Sequence, residues 1–109
     1  MAVYRVKTTI TGVFTSMDLK LGQERIHLSY DGNQTYISTD LFDLSGKLKL
    51  DWKARGISFQ DYTVKLAISK RKDDGSFGKA KTFEEDGSIP QGQKIAEIHR
   101  EISPESPDQ

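Results

Sequence analysis

The sequence contains no cysteine and only two histidines among its 109 residues. Without cysteine there is no disulfide bond, no thiolate nucleophile and no cysteine-ligated zinc. Histidine serves acid–base catalysis and metal binding more often than other side chains, but His27 and His99 stand far apart and outside any metal-binding motif. Phosphate-binding loops and Gly-x-Ser-x-Gly nucleophile motifs are missing as well. The sequence therefore predicts a protein that is not an enzyme and that uses no metal and no cofactor.

Long hydrophobic runs are also missing. No apolar stretch approaches the roughly 18 residues needed to span a bilayer, and the first residues lack the layout of a secretory signal. We therefore expect no transmembrane segment and a cytoplasmic location. A chain of this length usually builds one core, so we predict a single domain over residues 1–102. Residues 103–109 have no apolar side chain to bury and are predicted to form a disordered tail.

The feature that the sequence does have is a period-two alternation of apolar and polar side chains, which is typical of strands that bury one face. The clearest strand is predicted at 47–53, where Leu48, Leu50 and Trp52 share a face. The same alternation predicts strands at 61–71, 3–14, 24–30, 35–38 and 79–83. Residues rich in Asp, Asn, Glu and Gly predict turns between them, at 31–33, 73–76 and 84–87.

Two segments fit more than one structure. Residues 40–46 combine a capping Asp with a terminal Gly, which predicts a short helical turn. Residues 94–102 fit a helix or a strand, and the preceding Pro90-Gln91-Gly92 turn favours the strand. Seven or eight short strands with little helix predict an all-β, immunoglobulin-like antiparallel β-sandwich. A small β-barrel or a jelly-roll-like arrangement is the alternative, because periodicity does not give the strand order.

The net charge is zero, from sixteen basic and sixteen acidic residues, which argues against general attraction to nucleic acid. The basic and acidic residues are, however, unevenly distributed along the chain. Residues 47–81 hold ten Lys and Arg against four acids, a net of +6, whereas residues 82–109 hold two bases and seven acids, a net of −5. Such opposite charges permit head-to-tail association, unless they neutralise each other within one molecule.

The sharpest candidate site is the predicted basic hairpin, residues 70–81. It contains five cations and one aromatic ring that are candidates for binding: Lys70, Arg71, Lys72, Phe77, Lys79 and Lys81. If the hairpin projects, its cations can meet carboxylates or phosphates while Phe77 stacks on a base or enters a pocket. The competing interpretation is a sheet edge at which lysines discourage aggregation and the Phe covers the core.

Other candidate sites are weaker. The turns at 31–33, 73–75 and 84–87 carry acids that could bind calcium if the fold brought them together. Tyr30, Trp52 and Tyr62 fall on the apolar faces of their strands, which predicts core positions rather than a sugar-binding platform. His27 falls on a polar face and is expected to be exposed.

These observations together predict a non-catalytic module that binds a protein partner or assembles with itself, through the basic hairpin and an exposed strand edge. The alternative is a module that binds carbohydrate, lipid or nucleic acid through the same hairpin. Nucleic acid is the less favoured partner because the chain as a whole carries no net positive charge.

Overall fold

The structure is a computed structural model that describes residues 2–44 and 46–103. These residues form strands and loops and contain no helix. They therefore include no helix that could cross a membrane. In chain order the strands are β1 (Ala2–Thr11), β2 (Phe14–Leu21), β3 (Glu24–Arg25), β4 (Ser29–Gly32), β5 (Thr35–Leu44), β6 (Leu48–Gly56), β7 (Asp61–Lys70), β8 (Lys81–Ser88) and β9 (Ile95–Ile102).

The strands form two antiparallel sheets. The larger sheet has the order β4-β5-β1-β7-β8, and the smaller has the order β3-β2-β6-β9. Their inner faces pack together around a core that includes Val6, Ile10, Leu50, Trp52 and Leu66. The all-β class and the antiparallel sandwich predicted from alternation are therefore confirmed, and the predicted strand at 94–102 is present as β9.

The predicted strand over residues 3–14 is interrupted, because the chain passes from one sheet to the other at Gly12 and Val13. Gly12 has a φ of 151° and its N–H donates to the carbonyl of Gln34. A side chain there would meet the ring of Phe14, so glycine allows the tight crossing. The strand that follows, β2, was not predicted, although Met17, Leu19 and Leu21 alternate with Asp18 and Lys20.

The short helical turn predicted at 40–46 is wrong. Residues 40–44 continue β5 and pair with the first half of β1, in a register that places Asp40 opposite Val6 and Leu44 opposite Ala2. Leu44 is thereby buried in the core. Long-range pairing with β1 outweighs the local capping preference of the Asp and Gly residues, and Ser45 lies outside the described residues.

The turn predicted at 84–87 is also wrong, because these residues lie inside β8. Glu85 pairs with Val64 and Gly87 pairs with Tyr62. Gly87 is required for space rather than for a turn, since a Cβ at this position would collide with the phenol of Tyr62. The acidic residues 84–86 therefore lie on a strand and not in a turn.

The aromatic side chains follow the core prediction with one exception. Trp52 is fully buried and Tyr62 packs against the core, with their ring centroids 5.0 Å apart. Tyr30 was predicted to face inward, but it is 61% exposed. The reason is that β4 forms the edge of the larger sheet, so no central strand of the smaller sheet covers it.

Candidate functional site

The connections between strands gather at two opposite ends of the sandwich. At one end Tyr4 lies opposite Lys70, next to the basic hairpin. At the other end Thr11 lies opposite both Thr35 and Thr63. We call this second end the loop end. It comprises the connections at 12–13, 33–34, 57–60 and 89–94.

The basic hairpin has a backbone that is fixed by its own hydrogen bonds. The Lys72 N–H donates to Ser76 O at 2.7 Å, and the Gly78 N–H donates to Lys70 O at 2.9 Å. At the tip, the Asp74 carboxylate accepts hydrogen bonds from the hydroxyl of Ser76 at 2.6 Å and from its N–H at 2.9 Å. The hydroxyl bond, followed by the backbone bond, lowers the pKa of Asp74, which keeps this tip residue ionised.

The six predicted site residues take two kinds of position. Lys70, Arg71, Lys72 and Lys79 are exposed on the hairpin. Phe77 is half-buried, because the guanidinium of Arg5 lies 4.6 Å from its ring centroid in a cation–π contact. Lys81 is half-buried too, and its Nζ donates to the carbonyl of Ser103 at 2.8 Å. The hairpin therefore presents cations to solvent, while Phe77 and Lys81 hold it to the sandwich.

Strands β8 and β9 lie at the same side of the sandwich, each as the edge of its sheet. Charged groups bridge the two edges. Arg100 of β9 binds Glu85 of β8 at 2.9 Å, and the Lys81–Ser103 hydrogen bond joins the same two segments. Burial, followed by the charge of Glu85, raises the pKa of the neighbouring Tyr62 hydroxyl. Inward-directed charges of this kind discourage the addition of another strand, so these two edges are poorly suited to strand-to-strand assembly.

The outer face of the smaller sheet alternates in charge across its strands. One row runs from Lys20 through Asp51 to His99, and the next runs from Asp18 through Lys53 to Glu97. His99 Nδ1 lies 2.8 Å from Asp51 and its Nε2 lies 3.2 Å from Glu97. These two hydrogen bonds, with that to Asp51 the larger, raise the pKa of His99 above 6.5. Both ring nitrogens face a carboxylate, so the protonated imidazole can donate to Asp51 and Glu97 together.

The loop end carries an apolar surface that sequence reasoning missed. Phe59 is 70% exposed, Ile57 is 59% exposed and Val13 is 39% exposed. Two hydrogen bonds join the connection at 57–60 to the connection at 89–94. The Phe59 N–H donates to Ile89 O at 2.7 Å, and the Ile89 N–H donates to Gln60 O at 2.9 Å. The available signal was the pair of large apolar residues at 57 and 59, in a segment that connects two strands and belongs to neither.

Comparisons with known proteins give no family assignment. No protein-family model matches the sequence, and no curated protein and no solved structure matches it significantly. The function is therefore argued from the surfaces of the chain itself.

The calcium hypothesis requires acidic turns that meet, and the fold separates them. Asp31 lies near the loop end, Asp73 lies on the basic hairpin at the opposite end, and residues 84–86 lie within β8. Within residues 2–44 and 46–103, no three His, Asp or Glu side chains form a group that could hold a metal ion. His27 is exposed, as predicted.

We expect the pKa of His99 to depend on its two carboxylate partners, Asp51 and Glu97. Asp51→Asn removes the larger cause of the raised pKa, so the midpoint of His99 should fall toward 6.5 in an NMR titration of its imidazole protons. Asp43→Asn, at an exposed position of the larger sheet, should leave that midpoint unchanged. An unchanged midpoint in the Asp51 variant would contradict the assignment.

The sign of the accompanying stability change follows from the direction of the shift. The folded state binds the proton more tightly than the unfolded state, so the contribution is fully present below pH 6.5. It is lost as the pH rises through the raised pKa of the folded protein. Because His99 is largely exposed, the effect on the free energy of unfolding should be small and should shrink with added salt.

Proposed function

We propose that this protein is a non-catalytic binding module whose basic hairpin docks on an acidic surface of a protein partner. The observation that supports it is the display of Arg71, Lys72 and Lys79 on a hairpin whose backbone is already fixed. A backbone that is already ordered loses little conformational freedom on binding, and the exposed cations speed the encounter with an acidic partner. The hairpin thus combines charge with rigidity.

An acidic protein fits the hairpin better than nucleic acid does. Base stacking needs an available aromatic face, whereas the Phe77 ring is half-buried and has the guanidinium of Arg5 over one face. The tip also holds Asp73 and an ionised Asp74, which interrupt the positive surface and repel anions that pass close to them. A continuous row of phosphates would have to pass them, whereas separate carboxylates can face the cations alone. These features favour a partner that offers separate carboxylates over a continuous polyphosphate.

A different protein also fits better than a second copy. Self-association through charge requires acids of residues 82–109 that are available to the hairpin of another copy. Several of them are satisfied within the molecule, as in the pairs Glu85–Arg100, Glu101–Lys47 and Glu97–His99. Internal neutralisation leaves less attraction between copies, and the bridged β8 and β9 edges add little to it.

The triple variant Arg71→Gln, Lys72→Gln, Lys79→Gln tests the proposal. With polyglutamate as the acidic probe at low ionic strength, we expect binding to weaken by about tenfold or more, because three exposed charge pairs are lost and each contributes up to about 1 kcal/mol. Isothermal calorimetry or fluorescence anisotropy measures the affinity. Rising salt should weaken the binding of the wild-type protein more steeply than that of the variant.

The matched control is Lys20→Gln, Lys49→Gln, Lys53→Gln, which removes the same net charge from the outer face of the smaller sheet. Those lysines stand among acids, so the control should bind polyglutamate nearly as well as the wild type. Equal losses in both variants would mean that net charge alone drives binding, and the proposal would be wrong. Tighter binding of oligothymidine than of polyglutamate would support the nucleic-acid alternative, and a concentration-dependent mass in sedimentation would support self-assembly.

A further inference from the structure

The loop end holds an aromatic side chain in an unfavourable backbone conformation that exposes it. Phe59 has a φ of 66°, in the left-handed region where a side chain is strained. Its N–H donates to Ile89 O at 2.7 Å, and the following residue accepts a hydrogen bond from the Ile89 N–H at 2.9 Å. These bonds fix the strained conformation and leave the ring 70% exposed. Strain maintained in this way is a mark of functional positions.

Neighbouring apolar groups share that end with Phe59. Ile57 precedes it by two residues, and Val13 comes close because its carbonyl oxygen lies against Gly56. Both side chains are substantially exposed. They project from loops at the end of the sandwich, where no strand of either sheet covers them.

The loops of this end carry no negative charge, and the acids near it, Asp31 and Asp61, belong to strands. In a chain with sixteen acids, the connections at 12–13, 33–34, 57–60 and 89–94 contain none. Two exposed cations adjoin the apolar groups. Arg55 precedes Gly56, and the carbonyl of Lys94 accepts the Gly56 N–H at 2.7 Å. The nearest strand acid, Asp61, accepts a hydrogen bond from the hydroxyl of Ser88.

We propose that the loop end inserts into the surface of an anionic phospholipid bilayer, with Phe59 and Ile57 among the acyl chains and Arg55 and Lys94 at the headgroups. Projecting apolar side chains suit a fluid bilayer, which needs no preformed pocket, and flanking cations complement anionic lipids. This surface is distinct from the basic hairpin and lies at the opposite end of the sandwich. A molecule bound in this way would direct its hairpin away from the membrane.

The test uses vesicles of phosphatidylcholine alone and of phosphatidylcholine mixed equally with phosphatidylserine. The full chain should sediment with the mixed vesicles, at lipid concentrations on the order of millimolar because few apolar groups are involved. Phe59→Asn should weaken this binding by about tenfold or more. Asparagine tolerates a positive φ, so the variant should melt at the same temperature as the wild type or above it.

Two further variants separate insertion from general adsorption. Leu41→Asn removes an apolar side chain of similar exposure, 55%, from the outer face of the larger sheet, and it should bind vesicles as the wild type does. Phe59→Trp should retain binding and shift its emission to the blue on the mixed vesicles, against the constant signal of buried Trp52.

Three results would overturn the proposal. They are failure of the wild type to bind the mixed vesicles, unchanged binding by the Phe59→Asn variant, and loss of binding only in the variant that lacks Arg71, Lys72 and Lys79. The last result would mean that the basic hairpin adsorbs to the lipid charge. A wild-type dimer that the Phe59→Asn variant cannot form, without vesicle binding, would instead assign the loop end to contact between copies.

Discussion

Replacement of Trp52 by alanine is expected to lower the free energy of unfolding by about 3–5 kcal/mol, which is a large fraction of the stability of a small domain. Trp52 is fully buried. Its ring stands edge-on to Phe14, with centroids 5.5 Å apart, and lies 5.0 Å from Tyr62. Alanine would leave a cavity between the two sheets that rigid strands cannot fill. Urea denaturation followed by circular dichroism measures the loss.

Trp52→Phe is the control for this effect. The indole Nε1 has no hydrogen-bond partner among the described residues, so phenylalanine removes volume without removing a hydrogen bond. We expect a loss of about 1–2 kcal/mol, well below that of alanine. If alanine costs less than about 1 kcal/mol, Trp52 is not at the centre of the core and the packing of the two sheets is different from that described.

The parts of the fold that could be predicted from the sequence are those that depend on the alternation within one strand. Strands β6 and β7 follow from it, because their buried apolar residues are two positions apart and no turn residue interrupts the run. The parts that were missed depend on a partner strand. Residues 40–44 and 84–87 have the composition of turns, but pairing with β1 and with β7 extends them. Local propensity is a weaker influence than a ladder of hydrogen bonds to a neighbour.

The candidate sites, too, could be predicted where they depend on local sequence and were missed where they depend on residues remote in the sequence. Charge and turn residues locate the basic hairpin, and the structure exposes Arg71, Lys72 and Lys79 there. The positions of Phe77 and Lys81 depend on Arg5 and on Ser103, which are remote in the sequence, so periodicity gives no indication of them. The apolar loop end was missed for a related reason. Ile57 and Phe59 are two residues apart like strand residues, and only the fold shows that nothing covers them.

The sandwich separates its two proposed binding surfaces by the length of its strands. The basic hairpin extends β7 and β8 at one end, whereas the loop connecting β6 and β7 forms part of the other. Strand β7 therefore runs from the apolar loop to the cationic hairpin. A rigid strand that joins the two surfaces would fix the distance between a membrane and a protein partner, which gives a physical reason for placing them at opposite ends.

Replacement of Gly56 by alanine is expected to lower the free energy of unfolding by about 2–3 kcal/mol. A Cβ at this position would lie 2.9 Å from the carbonyl oxygen of Val13 and 2.9 Å from Cδ1 of Ile89. The first of these atoms belongs to the backbone, so the crossing between β1 and β2 would have to move. The Gly56 N–H, which donates to Lys94 O, should also exchange faster with solvent.

Gly78→Ala is the matched control, because neither glycine has a positive φ and a Cβ at 78 would make only ordinary contacts, at 3.5 Å from Cε of Lys72 and 3.7 Å from Lys70 O. We expect its effect to stay within about 0.5 kcal/mol. The difference between the two variants then measures steric exclusion at the base of the loop end rather than the general effect of replacing glycine in a strand or hairpin. Equal stability of both variants would show that the β1–β2 crossing does not press against Gly56, and the positions assigned to Val13 and Ile57 would have to change with it.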